Sequence, residues 1–240
     1  REYAQTIVDS GEALLTILND LLDISKLEAG KLEIEEITFS PRRLIADTSN
    51  IMRPRAVEKG LKISFKVGET VPEAVIGDAN RLRQIVFNLI SNAIKFTDTG
   101  SVDLTLDAED LGESRIDLRF AVSDTGPGVA PETAQELFAP YVQANVDIAR
   151  RFGGTGLGLS ISRQLAELMG GDIEMESILG EGSTFIVHAP FEVTTASVRE
   201  IADEKGWATT ARGAGLRILL VEDNLINRKD AQGMIGKLGH

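Results

Sequence analysis

Several residue types are scarce in this chain or missing from it, and each scarcity excludes a class of function. The 240 residues include no cysteine, which excludes disulfides, thiolate zinc sites and cysteine nucleophiles. The two histidines, His188 and His240, are too few for a multi-histidine metal site. No apolar run approaches the roughly 18 residues of a membrane helix and no signal peptide is visible, so we expect this stretch to be soluble.

Basic residues are also in deficit. The chain has 25 Lys and Arg against 37 Asp and Glu, which gives a formal net charge of −12. A nucleic-acid-binding protein needs a basic face that displaces counterions, so we expect no nucleic-acid partner. A polyanionic ligand can still bind locally, where backbone amides, a lysine and a metal ion surround it.

Residues 1–30 predict one long amphipathic helix. Its apolar residues recur at helical spacing, with polar residues mostly between them. A lone helix of this kind is marginal in water, so the apolar stripe must contact a partner. Pairing in a helical bundle or coiled coil is one interpretation, and packing on the following domain is the other. The stripe consists of Ile7, Leu14, Leu18, Leu21 and Leu27.

The stretch that follows predicts an α/β fold. Ser40 and Pro41 start a helix that runs towards Gly60, and residues 78–96 form a second helix. Alternating apolar and polar residues predict short strands, and helices covering one face of their sheet would make a two-layer α/β sandwich. The predicted strands include residues 61–67, 102–106, 116–122 and 185–191.

The end of the chain differs in composition. Residues 193–215 are small and polar and predict a linker. From Leu216, the run LRILLVED has the pattern of a buried parallel strand, and a short helix follows to Leu238. A segment this short cannot bury a core alone, so it is either the start of a truncated domain or a segment docked on the rest.

The second predicted helix carries an unusual polar stripe. Arg81, Gln84, Asn88, Asn92 and Lys95 share one face by the three-and-four rule. An amide oxygen is a hard neutral ligand for Mg²⁺, its NH₂ group can donate to a phosphate oxygen, and a lysine can meet negative charge. A merely solvated stripe is the alternative. The apolar face carries Leu82, Val86, Leu89, Ala93 and Phe96.

Two glycine-rich segments follow. In SDTGPGV (123–129), Asp124 is an acceptor at a turn, and Gly126 and Gly128 allow another group to approach the backbone closely. In GGTGLGLS (153–160), glycines open a helix whose free amides point outward. Taken singly, the first could be an ordinary turn and the second a flexible hinge.

The order and spacing of these segments, with ELFAPYVQ (136–143) between them, resemble the ATP-binding catalytic domain of sensor histidine kinases, here residues 35–192. Residues 1–34 resemble the second helix of the dimerisation and phosphoacceptor domain. Residues 216–240 resemble the start of a receiver domain, after the linker 193–215. Together they imply a cytoplasmic hybrid histidine kinase of the two-component phosphorelay type, with the histidine-kinase/gyrase/chaperone sandwich fold. The full-length protein could still be anchored to a membrane through segments not present here.

The resemblance implies Mg²⁺ and ATP as cofactors, and it assigns roles to residues. Asn88 and Asn92 would bind the metal and, with Lys95, form the catalytic set near the phosphates. Asp124 would accept a hydrogen bond from the adenine amino group, and Gly126 and Gly128 would admit the base. Residues 144–155 would be a lid. Further nucleotide contacts are implied for Phe138, Gly154, Thr155, Gly156, Leu157 and Gly158, whereas Tyr141 departs mildly from the family's usual Phe.

The amide side chain of Asn88 distinguishes a kinase from an ATPase. Related ATPases of the gyrase, chaperone and mismatch-repair type resemble one another in carrying a glutamate there as the base for the attacking water. An amide cannot accept a proton near neutral pH, so what remains is positioning and electrostatic stabilisation, which suits phosphoryl transfer. We therefore expect a protein-histidine kinase. The alternative is a nucleotide-binding pseudokinase scaffold, and a gyrase-type ATPase is disfavoured.

The expected partners are only partly present. The acceptor histidine would lie on a helix before Arg1, and we expect His188 to be an exposed strand residue and His240 a loop residue. In the receiver fragment, Glu222 and Asp223 match a pair of Mg²⁺-binding acids. The phosphate-accepting aspartate would lie beyond the chain, and Asp230 departs from the family pattern. The helix of residues 1–30 is expected to form a homodimer.

Overall fold

The computed structural model describes residues 21–27, 29–134, 136–139 and 156–194, together with the isolated positions 11, 14, 15, 18, 220, 228 and 232. The chain divides into two compact units, Arg1–Val198 and Arg199–His240. The predicted receiver strand and helix, with Glu222, Asp223 and Asp230, lie outside the described residues, as does most of the linker. Within the described part, no helix is both long and apolar enough to cross a membrane.

The first unit contains a seven-stranded mixed sheet in the order β1-β3-β7-β5-β4-β2, with β6 also paired to β7. The β2–β4 pair is parallel, and the other pairs are antiparallel. The long central pair β4–β5 and its partner β7 form the frame on which the turns are placed. The strands are β1 (Ile37–Phe39), β2 (Lys62–Val67), β3 (Val75–Gly77), β4 (Ser101–Gly112), β5 (Arg115–Asp124), β6 (Asp172–Ile178) and β7 (Gly182–Val193).

The helices begin where the sequence supplies caps. Ser40 accepts a hydrogen bond from the Arg43 N–H at 3.4 Å, with Pro41 in the first turn. The buried Asp78 caps the next helix by accepting from the N–H groups of Asn80 and Arg81, both at 3.0 Å. The helices are α1 (residues 21–27), α2 (Pro41–Glu58), α3 (Ala79–Phe96), α4 (Pro131–Ala134) and α5 (Gly158–Leu168).

A single apolar core joins the helices to the sheet. Alternate residues of β4 and β5 are buried, including Leu104, Leu118 and Phe120, and they pack with the apolar faces of α2, α3 and α5. Leu82 and Leu89 of α3 are fully buried, as the helical spacing predicts. This arrangement confirms the predicted two-layer α/β sandwich.

Helix α1 has two different sides. Ile24 and Leu27 pack against the core of the sandwich, whereas leucines preceding them are exposed. At about 100° per residue, Leu22 lies on the side of the helix opposite Ile24, whereas Leu21 lies only about 60° from Ile24. Leu27, at the end of the predicted stripe, packs on the domain, whereas Leu14, Leu18 and Leu21 are exposed. Pairing of the stripe in a helical bundle stays a prediction. The exposed residues are Leu14, Leu15, Leu18, Leu21 and Leu22.

One expectation about the strands is wrong. His188 lies on β7 as predicted, but it is half-buried rather than exposed. Its Nδ1 atom is 2.6 Å from Oδ2 of Asp117 on the neighbouring β5. The sequence did not indicate this partner because the two residues meet only through the pairing of β5 with β7.

Candidate functional site

The two asparagines of α3 lie at the start of α5. Nδ2 of Asn88 donates to Oγ of Ser162 at 2.9 Å, and Oδ1 of Asn88 accepts from Nδ2 of Asn92 at 3.4 Å. A Cβ atom added at Gly158 would stand 2.6 Å from Oδ1 of Asn88, so only glycine fits this close contact without displacing the amide. The structure therefore brings together the amide pair and the helix that follows the second glycine-rich segment.

The start of α5 is suited to an anion. Leu157 occupies the cap position without a side-chain cap, and the N-terminal end of this 11-residue helix carries partial positive charge. The Leu157 side chain is buried in the core, so only its backbone is available to a ligand. Gly156 has a φ of 71°. Gly154, Thr155, Tyr141 and the expected lid, residues 144–155, lie outside the described residues.

Lys95 lies at the other end of the amide pair, in the last turn of α3. Burial lowers the pKa of its ammonium group. Its Nζ atom is 4.9 Å from the centre of the Phe96 ring, which is only partly buried instead of belonging to the apolar face. Lys59, at the end of α2, donates to the carbonyl groups of Ile94 and Lys95 at 2.8 and 2.6 Å, which holds the last turn of α3 in place.

The polar stripe of α3 is not one functional surface. Arg81 and Gln84, at its N-terminal end, contact Asp23 of α1. Asn88 and Asn92 contact each other and α5. The sequence places all four on one face, but only the packing of α1 against the first turns of α3 separates them into two groups.

Asp124 ends β5 and starts the first glycine-rich turn. Its Oδ1 accepts from the Gly126 N–H at 2.8 Å. Burial raises the pKa of the Asp124 carboxyl, and the backbone N–H groups of Gly126 and Ser183 oppose that shift. Gly128 has a φ of 64°, and a Cβ atom there would lie 2.1 Å from the carbonyl oxygen of Ile178. Glycine is thus required where the turn packs on the β6–β7 hairpin.

A shallow cavity of about 240 Å³ opens beside Asp124, between the end of β5 and the β6–β7 hairpin. Hydroxyl groups and carboxylates line it, so it can offer both donors and acceptors to a polar ligand. Oγ of Ser123 and Oγ1 of Thr184 lie 2.9 Å apart on the adjacent strands. The cavity is lined by Asp124, Glu176, Ser177, Ile178, Glu181, Gly182, Ser183 and Thr184.

Two polar residues of the site were missed at the level of sequence. Ser162 contacts Asn88, and Thr184 lines the cavity beside Asp124. Ser162 lies four residues after Gly158, which places it one turn along the same face of α5. This spacing could therefore have identified Ser162 from the sequence. Thr184 could be found only from the strand register, in which Ser123 is paired with Thr184 and Asp124 with Ser183.

Phe138 occupies a different environment from the other predicted contacts. Its ring packs edge-on against Phe185 with centroids 6.3 Å apart, and the guanidinium carbon of Arg163 lies 4.2 Å from its centroid. Arg163 is anchored in turn to the carbonyl of Ile173 at 3.2 Å. These contacts fix the segment immediately before the expected lid.

The residues present fit a magnesium ion held mainly by its nucleotide. In the described part of the chain, no group of three or more His, Cys, Asp or Glu residues could hold a metal ion. Asn88 and Asn92 supply two adjacent amide groups with hard neutral oxygens. Mg²⁺ commonly keeps several waters and binds through few protein groups together with phosphates, which matches so small a donor set.

Comparison with known proteins shows which family has this arrangement of α3, the Asp124 turn and α5. A family model described as histidine kinase-, DNA gyrase B-, and HSP90-like ATPase matches residues 77–193. Residues 77–193 of the chain form a domain of this family. The matched segment runs from the end of β3 to the end of β7, so it contains α3, the Asp124 turn and α5. ATP is therefore the nucleotide of this class of domain.

The relatives are sensor kinases. The signal transduction histidine-protein kinase BarA of Escherichia coli K12 is 38% identical over 224 residues, 93% of this chain and 24% of BarA. The sensor protein GacS of Pseudomonas syringae pv. syringae is 46% identical over 184 residues, 77% of this chain and 20% of GacS. The chain thus spans about a quarter or less of these relatives' length.

A solved structure supports the same assignment. Full-length ShkA in complex with AMPPNP matches with a TM-score of 0.69 and 37% identity, over 83% of this chain and 40% of that one. The ATPase-family domain of this chain is therefore a histidine-kinase catalytic domain. These relatives give no support to the alternative of a pseudokinase scaffold.

Proposed function

We propose that the protein to which this chain belongs transfers the γ-phosphoryl group of Mg-ATP to a histidine of its dimerisation domain, and then to a receiver aspartate. The observation that carries the proposal is the placement of Asn88. It lies between Asn92, Gly158 and Ser162, where a carboxylate base would be needed for hydrolysis. Two amides and a helix N-terminus can position a triphosphate without activating water.

In the proposed site, Asn92 and Asn88 hold the metal through their amide oxygens, and Lys95 faces the phosphates. The magnesium ion supplies charge neutralisation across the phosphate oxygens. The amides of Gly154, Thr155, Gly156, Leu157 and Gly158 lie along the phosphates. Asp124 accepts from the adenine amino group, Gly126 and Gly128 admit the base, and Phe138 supports the nucleotide from the segment before the lid.

The proposed organisation follows the same scheme. Residues 1–34 are the second helix of the dimerisation domain, 35–192 the catalytic domain, 193–215 a linker and 216–240 the start of a receiver. The proposed partners are a second copy of the chain, the acceptor histidine and the receiver. Because ATP is the substrate, the activity is proposed to be cytoplasmic.

Titration of the chain with ATP by calorimetry, with and without Mg²⁺, tests the site. We expect Mg²⁺ to strengthen binding, and Asn92→Ala to abolish that strengthening while leaving the thermal unfolding midpoint unchanged, because the lost group acts only in the ligated state. Asn80→Ala, at an exposed asparagine of the same helix, is the matched control. Equal Mg²⁺ dependence in Asn92→Ala and in the parent chain would refute the assigned metal ligands.

A transfer assay tests the reaction. A chain extended upstream by a dimerisation helix with its histidine should form an acid-labile phosphohistidine from Mg-ATP, with near-zero steady hydrolysis. Steady release of phosphate without a phosphohistidine would indicate a water-activating ATPase. ATP binding with neither product would instead favour the pseudokinase.

A further inference from the structure

The C-terminal end of α3 is held by a residue from outside that helix. Lys59, which follows α2, donates from Nζ to the carbonyl groups of Ile94 and Lys95 at 2.8 and 2.6 Å. The last four carbonyl groups of a helix have no partner within it, so these two bonds satisfy acceptors that α3 leaves open. The carbonyl of Ala93 is satisfied locally, because the N–H and Oγ1 of Thr97 donate to it at 3.1 and 2.7 Å. Lys59 thus completes the end of α3.

The backbone of Lys59 is itself fixed by the way α2 ends. The Leu61 N–H donates to the carbonyl of Ala56 at 2.9 Å. The Gly60 N–H donates to the carbonyl of Val57 at 2.9 Å, and Gly60 has a φ of 76°. These two bonds form the Schellman motif that commonly terminates a helix. Because Leu61 is also buried, the Lys59 side chain extends from an anchored turn, and it is only 30% exposed.

The carbonyl contacts of Lys59 are stronger than its ion pair. Oδ1 of Asp98 lies 4.0 Å from Nζ, which is beyond hydrogen-bonding distance, and the Asp98 side chain is 53% exposed, so this pair contributes little. Hydrogen bonds from a charged donor are stronger than neutral ones, and the carbonyl groups at a helix C-terminus carry partial negative charge. The ammonium group of Lys59 therefore acts chiefly on the last turn of α3.

The turn that Lys59 holds belongs to the proposed phosphate end of the site. Lys95 lies in this turn, and Asn92 lies three residues before Lys95. The same end of α3 adjoins the glycine-rich turn after β5, since a Cβ atom added at Gly126 would lie 3.3 Å from the carbonyl oxygen of Phe96. A shift of the last turn of α3 would therefore move the proposed phosphate-binding groups relative to the turn that carries Asp124.

We infer that Lys59 is a positioning residue for the triphosphate, because it fixes the turn that sets where Asn92 and Lys95 meet the magnesium ion and the terminal phosphates. The inference rests on the proposed function, in which these two residues bind that end of the nucleotide. Lys59 acts through α3, since its ammonium group is engaged by backbone carbonyls. Adenine binding, which is assigned to Asp124 on β5, should depend less on this turn.

The substitution Lys59→Met tests the positioning role, because methionine keeps most of the side-chain length and removes the ammonium group. Calorimetric titration with ATP, with and without Mg²⁺, gives the factor by which the metal strengthens binding. We expect this factor to fall about threefold to tenfold, the scale of a lost hydrogen bond, with a smaller change in the Kd for ATP alone. Lys59→Arg, which keeps a charged donor, should restore most of the factor.

Hydrogen exchange locates the effect along the helix. Peptides covering residues 93–97 should exchange about tenfold faster in Lys59→Met, whereas peptides covering residues 82–89 should exchange as in the parent chain. Lys66→Met, at an exposed lysine of β2, is the matched control and should change neither measurement. If Lys59→Met is too unstable to titrate, Lys59→Gln should show the same changes at smaller size.

The outcomes separate this role from the proposed function. An unchanged magnesium factor in Lys59→Met, with faster exchange at the end of α3, would make Lys59 a structural cap only and overturn the positioning role. Unchanged exchange would overturn the capping itself. If Mg²⁺ did not strengthen ATP binding to the parent chain, the proposed function would fail and the positioning role with it. A normal parent chain with an unimpaired Lys59→Met variant would refute the role of Lys59 alone.

Discussion

At the scale of single residues, the site depends on neutral amides where a carboxylate would change the reaction. Asn88 donates to Ser162 and accepts from Asn92, so its amide is oriented by protein contacts before any ligand binds. A preoriented amide has less conformational freedom to lose when a metal ion and phosphates arrive. The amide pair thus suits positioning, which is most of what the proposed phosphoryl transfer requires.

Asp124 is the residue for which stability and binding should respond in opposite directions. Because burial raises its carboxyl pKa, the folded chain holds this proton to higher pH than the unfolded chain does. The stability linked to this proton is present below the ordinary aspartate pKa and is lost as pH rises through the raised value. At neutral pH, the ionised carboxylate therefore opposes folding.

We accordingly expect Asp124→Asn to keep or raise the thermal unfolding midpoint at neutral pH. It should weaken ATP and ADP binding alike, by about tenfold to a hundredfold, the range of a hydrogen bond to a charged group. Calorimetric titration with both nucleotides measures this, and Asp107→Asn, at an exposed position of β4, is the control. Weakened binding of ATP alone would contradict the adenine role.

At the scale of elements, the site is the contact of two helices. Helix α3 is positioned at one end by its Asp78 cap and at the other by Lys59, which follows α2. Helix α5 approaches it closely because Gly158 has no side chain. The amide pair therefore depends on helix packing as well as on its own chemistry.

Gly158→Ala tests this packing. The added Cβ would lie 2.6 Å from Oδ1 of Asn88, so the amide or the helix must shift. We expect a loss of about 1–3 kcal/mol in the free energy of unfolding, as for other overpacked contacts, together with weaker Mg-ATP binding. In an Asn88→Ala background, Gly158→Ala should leave the free energy of unfolding nearly unchanged. Equal losses in both backgrounds, by denaturant unfolding, would place the strain elsewhere.

At the scale of the whole molecule, five exposed leucines lie in α1 and at described positions before it: Leu14, Leu15, Leu18, Leu21 and Leu22. These five leucines are 42–61% exposed, and clustered exposed apolar side chains are typical of a protein interface. A second copy of the same helix is the proposed partner. The sandwich core is complete without this surface, so association and folding can be separated.

We expect the chain to dimerise with increasing concentration. The double substitution Leu18→Glu and Leu22→Glu should shift it to monomer, because a charge cannot be buried in an apolar helix pair without a partner of opposite charge. Sedimentation velocity measures both states. Leu111→Glu, at an equally exposed leucine of β4, should leave the dimer intact. A parent chain that is monomeric at all concentrations would refute the proposed dimer face.

Much of the fold was predictable because its signals are local. The caps at Ser40 and Asp78, the helical period of α3 and the alternation along β4, β5 and β7 each depend on residues close in sequence. The strands β1, β3 and β6 were not identified. Three residues, as in β1 and β3, are too few for a periodic pattern, and pairing with neighbours at a distance in sequence makes them strands.

The sequence by itself determined which groups are chemically available: the amides of Asn88 and Asn92, the acceptor Asp124 and the glycines of two turns. Only the tertiary structure decided how they are grouped. In the folded protein, some polar residues on the shared face of α3 contact Asp23 and others contact α5. His188 contacts Asp117, and Thr184 lies beside Asp124. Residue types and periods are properties of short segments, whereas these contacts join segments that only the packing of helices and strands brings within hydrogen-bonding distance.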